Sequence, residues 1–240
     1  PGIFLPLLLE APILLILLIV VCKTDSFTLK AVTDANTVIF LLVVMSALMG
    51  ILNSYREICK EREVLAREVF GGLDVNAYAL SKFVVLAVFG AGQTLILFGG
   101  AALYVDFAFA SPAAAYPLCW LALYLTNLAT VAIGLFLSAL LKRSESAILP
   151  VLLIIIACVV FSDCVLVLGG AAGYLRYITP TAWGAAVLGK FTGLNGWYAT
   201  FSRELYGCSP FLSLAVLAAE TLLFLFATIA CLHWKFRKKD

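Results

Sequence analysis

Six stretches of this chain are long and apolar enough to cross a lipid bilayer, and nothing else in it restricts the fold so strongly. A hydrocarbon core about 30 Å thick takes about 20 helical residues. The stretches are Ile3–Cys22, Thr37–Ser54, Ala77–Tyr104, Ala113–Leu141, Ala147–Leu168 and Pro210–Trp234. They are continuous rather than alternating, and lipid admits only helices or closed barrels, which satisfy every backbone polar group internally. The expectation is an all-α membrane protein, residues 1–240 forming a single transmembrane domain of six helices. At 64% hydrophobic residues, the chain lies well above the roughly 45–50% of globular proteins. The opening residues carry no basic n-region or A-x-A-like site, so they do not read as a cleaved signal peptide.

Two of the stretches, Ala77–Tyr104 and Ala113–Leu141, exceed the bilayer and imply tilting, kinking or projection beyond it. Gly90, Gly92, Gly99 and Gly100 punctuate the first, as sites of close helix approach or as a bend.

The net charge of +2 excludes no class of partner by itself and gives no reason to expect nucleic acid. Its distribution says more. Eleven of the 16 basic residues fall on one side: Arg56, Lys60, Arg62, Arg67, Lys82, Lys142, Arg143, Lys235, Arg237, Lys238 and Lys239. The positive-inside tendency makes that side cytoplasmic, with both termini on it. The opposite side then holds residues 169–209, whose mixture of aromatics, glycines and a proline fits short interfacial or re-entrant helices. Thr179–Pro180 reads as the start signal of one such helix over Ala182–Phe191.

Seven cysteines occur without a CxxC pair, most of them inside apolar runs where a thiol packs as a small hydrophobe. Absence of a disulfide is favoured over a Cys164–Cys208 bridge.

Between the second and third stretches lies "SYREICKEREVLAREVFGG", Ser54–Gly72, which holds eight of the 30 charged residues. Tyr55–Phe70 contains neither Gly nor Pro, Ile58, Leu65 and Val69 recur at helical spacing, and Gly71–Gly72 is a natural stop. A single helix of about four turns over 55–70 is expected beside the cytoplasmic surface. A plain solvated helix is the simplest account of it.

The flanking residues add a resemblance. "REICKEREVLAREVFGGLDVNAYALSKF" is similar to the loop between the second and third spans of ABC exporter membrane domains of the G subfamily and their type-2 permease relatives. The matching residues are Glu57, Glu61, Arg62, Arg67, Glu68, Gly72, Ala77, Tyr78, Ser81 and Lys82. Two further islands, Gly134–Asp163 and "YLRYITPTAWGAAVLGKF", resemble the ends of spans four and five and the segment before the last span. Asp163 stands where that family has Gly, and Thr179 where it has Ser.

The resemblance implies a six-span half of a dimeric exporter, working with a nucleotide-binding domain that holds ATP and Mg. The 240 residues contain no G-x-x-x-x-G-K-[ST] motif and no cofactor site of their own, so that ATPase is expected upstream on the same polypeptide or as a separate subunit. It implies a coupling helix at 55–70 with Arg56, Glu57, Glu61, Arg62, Arg67 and Glu68 as contact residues, and Lys142 and Arg143 in a second contact. It also implies a substrate cavity at the dimer midline, with Ser46, Met49 and Asn53 on span two and Ile156, Val159 and Val160 on span five. So apolar a lining suits lipid-like or amphipathic cargo, moved outward across the plasma or inner membrane. Glu10 and Glu220 are the remaining acids within spans, Glu10 placed to pair or snorkel and Glu220 for an inter-helix contact or for substrate. A channel or scaffold stays open as an alternative, as does a membrane-embedded enzyme. For the enzyme, the lone His233 and the absence of any clustered acid/base pair offer little.

Overall fold

The computed structural model describes residues 4–28, 31–109, 111–141, 145–164, 170–197 and 201–237. Among them there are helices and no strands: α1 (Phe4–Val21), α2 (Val32–Ser54), α3 (Arg62–Phe70), α4 (Val75–Tyr104), α5 (Pro112–Leu140), α6 (Ile148–Val160), α7 (Pro180–Thr192) and α8 (Pro210–Arg237). By length and composition α2, α4, α5 and α8 suffice to cross a bilayer, while the apolar helices over Leu8–Val21 and Ile148–Val160 are shorter. Their outward faces are apolar. Val20, Val88, Leu153 and Phe226 are each about two-thirds exposed or more, on four different helices. A water-soluble surface does not carry so extended an apolar face; lipid does.

At the centre is α5, packed on α2, α4, α7 and α8. Polar side chains inside apolar helices are tolerated where they bond to backbone, and this interface is built that way. Ser46 on α2 donates to the Leu123 carbonyl at 2.6 Å, and Asn127 on α5 returns a bond to the Ser46 carbonyl at 2.9 Å. The helices approach so closely because Gly50 and Gly134 sit at the crossing. A Cβ on Gly50 would meet the Asn127 carbonyl oxygen at 2.5 Å, and one on Gly134 would collide with the Ser54 hydroxyl. Among the glycines of α4, Gly90 is a close-packing point against Asn127 and Gly100 against Leu15 of α1, whereas Gly92 and Gly99 face open space.

Two expected elements differ. The helix expected over 55–70 is broken: after Ser54 the chain turns, forms a short 3-10 turn at Cys59–Glu61, and only then enters α3. The cause is Ser138 on α5, whose hydroxyl accepts the N–H groups of both Ile58 (3.0 Å) and Cys59 (2.9 Å) and withdraws them from a helical ladder. The fifth expected span, Ala147–Leu168, stops as a helix at Val160. There Thr181 donates to the Cys158 carbonyl at 2.7 Å and Thr179 to the Phe161 carbonyl at 3.0 Å, satisfying carbonyls that a continuing helix would have used. Residues 165–168 of that expected span lie outside the described residues.

In the segment expected to be external, α7 runs longer than the reading of Ala182–Phe191 and ends at Gly193 with φ +66°. It does not lie on a surface. Pro180–Gly189 is buried, and the helix is inserted against α2, α5 and α8. Ser138→Ala is expected to cost about 1–3 kcal/mol, because two buried N–H groups lose their acceptor; thermal unfolding in detergent reads it.

Candidate functional site

At the α3 end of the bundle, the segment from Tyr55 to Glu61 forms an elbow between α2 and α3. Four backbone carbonyls at the end of α5 lack helical partners, and neighbouring side chains take all of them. Cys59 Sγ reaches the Ser138 carbonyl (2.9 Å), Lys235 Nζ of α8 donates to those of Ala139 and Leu140 (2.5 Å each), and Arg62 Nη1 donates to that of Leu141 (2.9 Å). Two cations at a helix C-terminus also complement its dipole.

Acidic groups of the elbow turn to α4. Lys82 Nζ lies 2.6 Å from Glu61 and 3.8 Å from Glu57, Tyr78 Oη donates to Glu61 at 3.0 Å, and Lys60 pairs with Glu57. Burial disfavours the ionised Glu61 carboxyl, but the hydrogen bonds from Lys82 and Tyr78 outweigh it and hold the group below its ordinary value of 4.5. With the folded value below the unfolded one, this stabilisation is complete at neutral pH and is lost as pH falls below 4.5 through the folded value. The expected result is that the melting-temperature gap between the unaltered protein and Lys82→Met, measured in detergent, narrows on acidification and is widest near pH 7.

Of the six expected contact residues in the charged segment, then, Glu57, Glu61 and Arg62 bind within the chain. Arg56, Arg67 and Glu68 are exposed, Arg56 over the Tyr55 ring at 4.8 Å. With Glu63, Val64 and the 95% exposed Phe70, Arg67 and Glu68 form the outer face of α3, while Ile58 and Leu65 are buried against α5 and α8. Lys142 and Arg143 lie outside the described residues. Ser138, Cys59 and Lys235 brace the elbow without having stood out in the sequence. A serine three residues from the end of a long apolar helix was the available signal.

The expected cavity residues do not converge. Ser46 is buried in the α2–α5 interface, Ile156 is half exposed on the outward side of α6, and Val159 and Val160 are half-buried. The crevice between α2 and α6, lined by Val44, Leu48, Ile51, Thr130, Ile155 and Cys158 among others, holds about 10 Å³, at most one water. Met49 instead lines a larger groove of about 180 Å³ between α1 and α2, with Glu10, Ile13, Leu14, Leu48 and Leu52. Asn53 donates to Gln93 of α4 at 3.1 Å, and both amides are hydrogen-bonding neighbours of Glu10. Glu220 has a buried carboxylate oxygen with no hydrogen-bond partner among the described residues.

At the opposite end, Asp163 is buried with φ +59°, the left-handed region that favours Gly but admits Asp. This backbone is the reason an Asp occupies the position where the resembled family has Gly. It lies 3.6 Å from Arg176, which also pairs with Glu204, and Arg203 donates to the Cys164 carbonyl at 3.2 Å. Cys164 Sγ is 3.4 Å from the Tyr206 hydroxyl, which donates to Asn36 at 3.0 Å. His233 sits 2.9 Å from Asn76 at the α3 end, joining α8 to α4.

Helices with a lipid-facing apolar surface, an inserted segment at one end and a braced charged elbow at the other define an integral, all-helical membrane protein. The profile of the ABC-2 type transporter membrane domain matches residues 5–190, most of the chain, and the chain belongs to that family. It is thus a transmembrane component of an ABC transporter, a kind of permease that typically pairs with an ABC ATPase. No curated protein matches it in sequence.

Proposed function

We propose that this chain is the membrane half of an ATP-driven exporter similar to the G subfamily, moving a lipid-like or amphipathic substrate outward, with a second six-span half completing the pathway. In this reading the α3 end is cytoplasmic, the membrane is the plasma or inner membrane, and an ATPase fused upstream or borne by another subunit holds ATP and Mg. The observation that carries it is the double character of α3. Its outer face offers Arg67, Glu68 and Phe70 to a partner, while its root is bonded to α4 through Lys82 and Tyr78 and to α5 through Arg62 and Ser138. A push on α3 is therefore carried into two spanning helices rather than absorbed by a loose loop.

Reconstitution of the full chain with its ATPase in vesicles tests this. ATP-dependent outward movement of a fluorescent phospholipid or amphipathic dye is expected; flux that ignores ATP would favour a channel.

A further inference from the structure

Helix α1 carries a single ionisable residue, Glu10, in 18 residues that are otherwise wholly apolar. An acid at such depth costs several kcal/mol unless it is paired or neutralised. Among the described residues no lysine or arginine forms an ion pair with it. Its polar neighbours are the amides of Asn53 and Gln93, and one carboxylate oxygen, Oε2, is buried with no hydrogen-bond partner. That carboxylate borders the groove of about 180 Å³ whose other walls, Ile13, Leu14, Leu48, Met49 and Leu52, are all apolar. The volume is more than ten times what one water needs. Ile13 and Leu52 are exposed at the rim, so the groove opens onto the lipid-facing surface.

We propose that the groove between α1 and α2 binds the ammonium headgroup of a cationic amphiphile, with Glu10 as its counter-charge and the exposed apolar rim receiving the hydrocarbon chain. An ammonium supplies the partner that the carboxylate lacks within the described chain. An anionic headgroup would be repelled, and a neutral one would leave the charge unpaired. Asn53 and Gln93 hold the carboxylate from behind, and Met49 offers a polarizable, adaptable wall for alkylammonium groups of varied shape. Leu48 lines both this groove and the crevice against α6, which places the headgroup beside the face where α2 meets α6. The inference rests on reading the chain as an exporter of amphipathic substrates and narrows that class to cations.

The test is direct binding, without nucleotide, to the full chain purified with its ATPase in maltoside micelles. The probes are a dansyl-labelled alkyl trimethylammonium and its uncharged tert-butyl isostere, followed by fluorescence anisotropy. The ammonium probe is expected to bind at least about tenfold more tightly than the isostere. Glu10→Gln, which keeps the shape, is expected to abolish that preference, and Glu10→Asp to retain part of it. Leu52→Trp, filling the groove from its rim with Glu10 untouched, is expected to weaken the ammonium probe as well. No preference in the unaltered protein, or a preference that survives Glu10→Gln, would overturn the proposal. Because no ATP is present, a transporter that exports but shows no charge preference loses only this site. One that binds the cation but shows no ATP-driven movement loses only the export reading.

Discussion

Gly50→Val is expected to destabilise the membrane domain by about 3 kcal/mol or more, read as a lower melting temperature in detergent. The first added carbon alone would stand 2.5 Å from the Asn127 carbonyl oxygen and close on the Thr130 hydroxyl, and a backbone oxygen within α5 has no rotamer by which to withdraw. The two helices must therefore part. Overpacking of this kind costs about 1–3 kcal/mol, and parting the helices also stretches the reciprocal bonds between Ser46 and Leu123 and between Asn127 and Ser46, each worth about 1 kcal/mol. Gly99→Val, on a position with nothing within 4 Å, is the control and is expected to leave the melting temperature nearly unchanged. Equal effects at the two positions would contradict the close α2–α5 crossing.

Arg67→Glu is expected to lower ATP-driven transport at least about tenfold, about 1.4 kcal/mol of coupling, without lowering the melting temperature. The side chain is exposed on the outer face of α3, and a reversed charge there opposes whatever complementary surface the ATPase presents. Arg62→Ala separates the two roles of this segment. Its guanidinium caps the Leu141 carbonyl, so its loss is expected to lower stability first and transport only in consequence. Full transport by Arg67→Glu would remove the outer face of α3 from the contact with the ATPase.

Much of this architecture is legible in the chain itself. The spans over α2, α4, α5 and α8 follow from runs of apolar residues, and their observed ends lie within about five residues of those expected. The stripe of Ile58, Leu65 and Val69 does face the bundle, since helical spacing alone puts these residues on one side. Less legible were the shortness of α6 and the fate of the charges at 57–62. The apolar run past Val160 continues as if helical, but Thr179 and Thr181, some twenty residues later, take the carbonyls that would have extended it. Glu57, Glu61 and Arg62 have the spacing of an exposed polar face, yet Lys82 and the end of α5 draw them inward.

The sequence by itself determined that this chain lives in lipid, where its helices run and which segment is charged, because burial in a bilayer responds to length and hydropathy, both local properties. Only the tertiary structure decided which charges brace the fold and which stay free on α3, and that Glu10 faces a groove beside Asn53 and Gln93. Those outcomes depend on hydrogen bonds and ion pairs between residues that are distant in the chain, such as Ser138 with Ile58, and no local pattern specifies them.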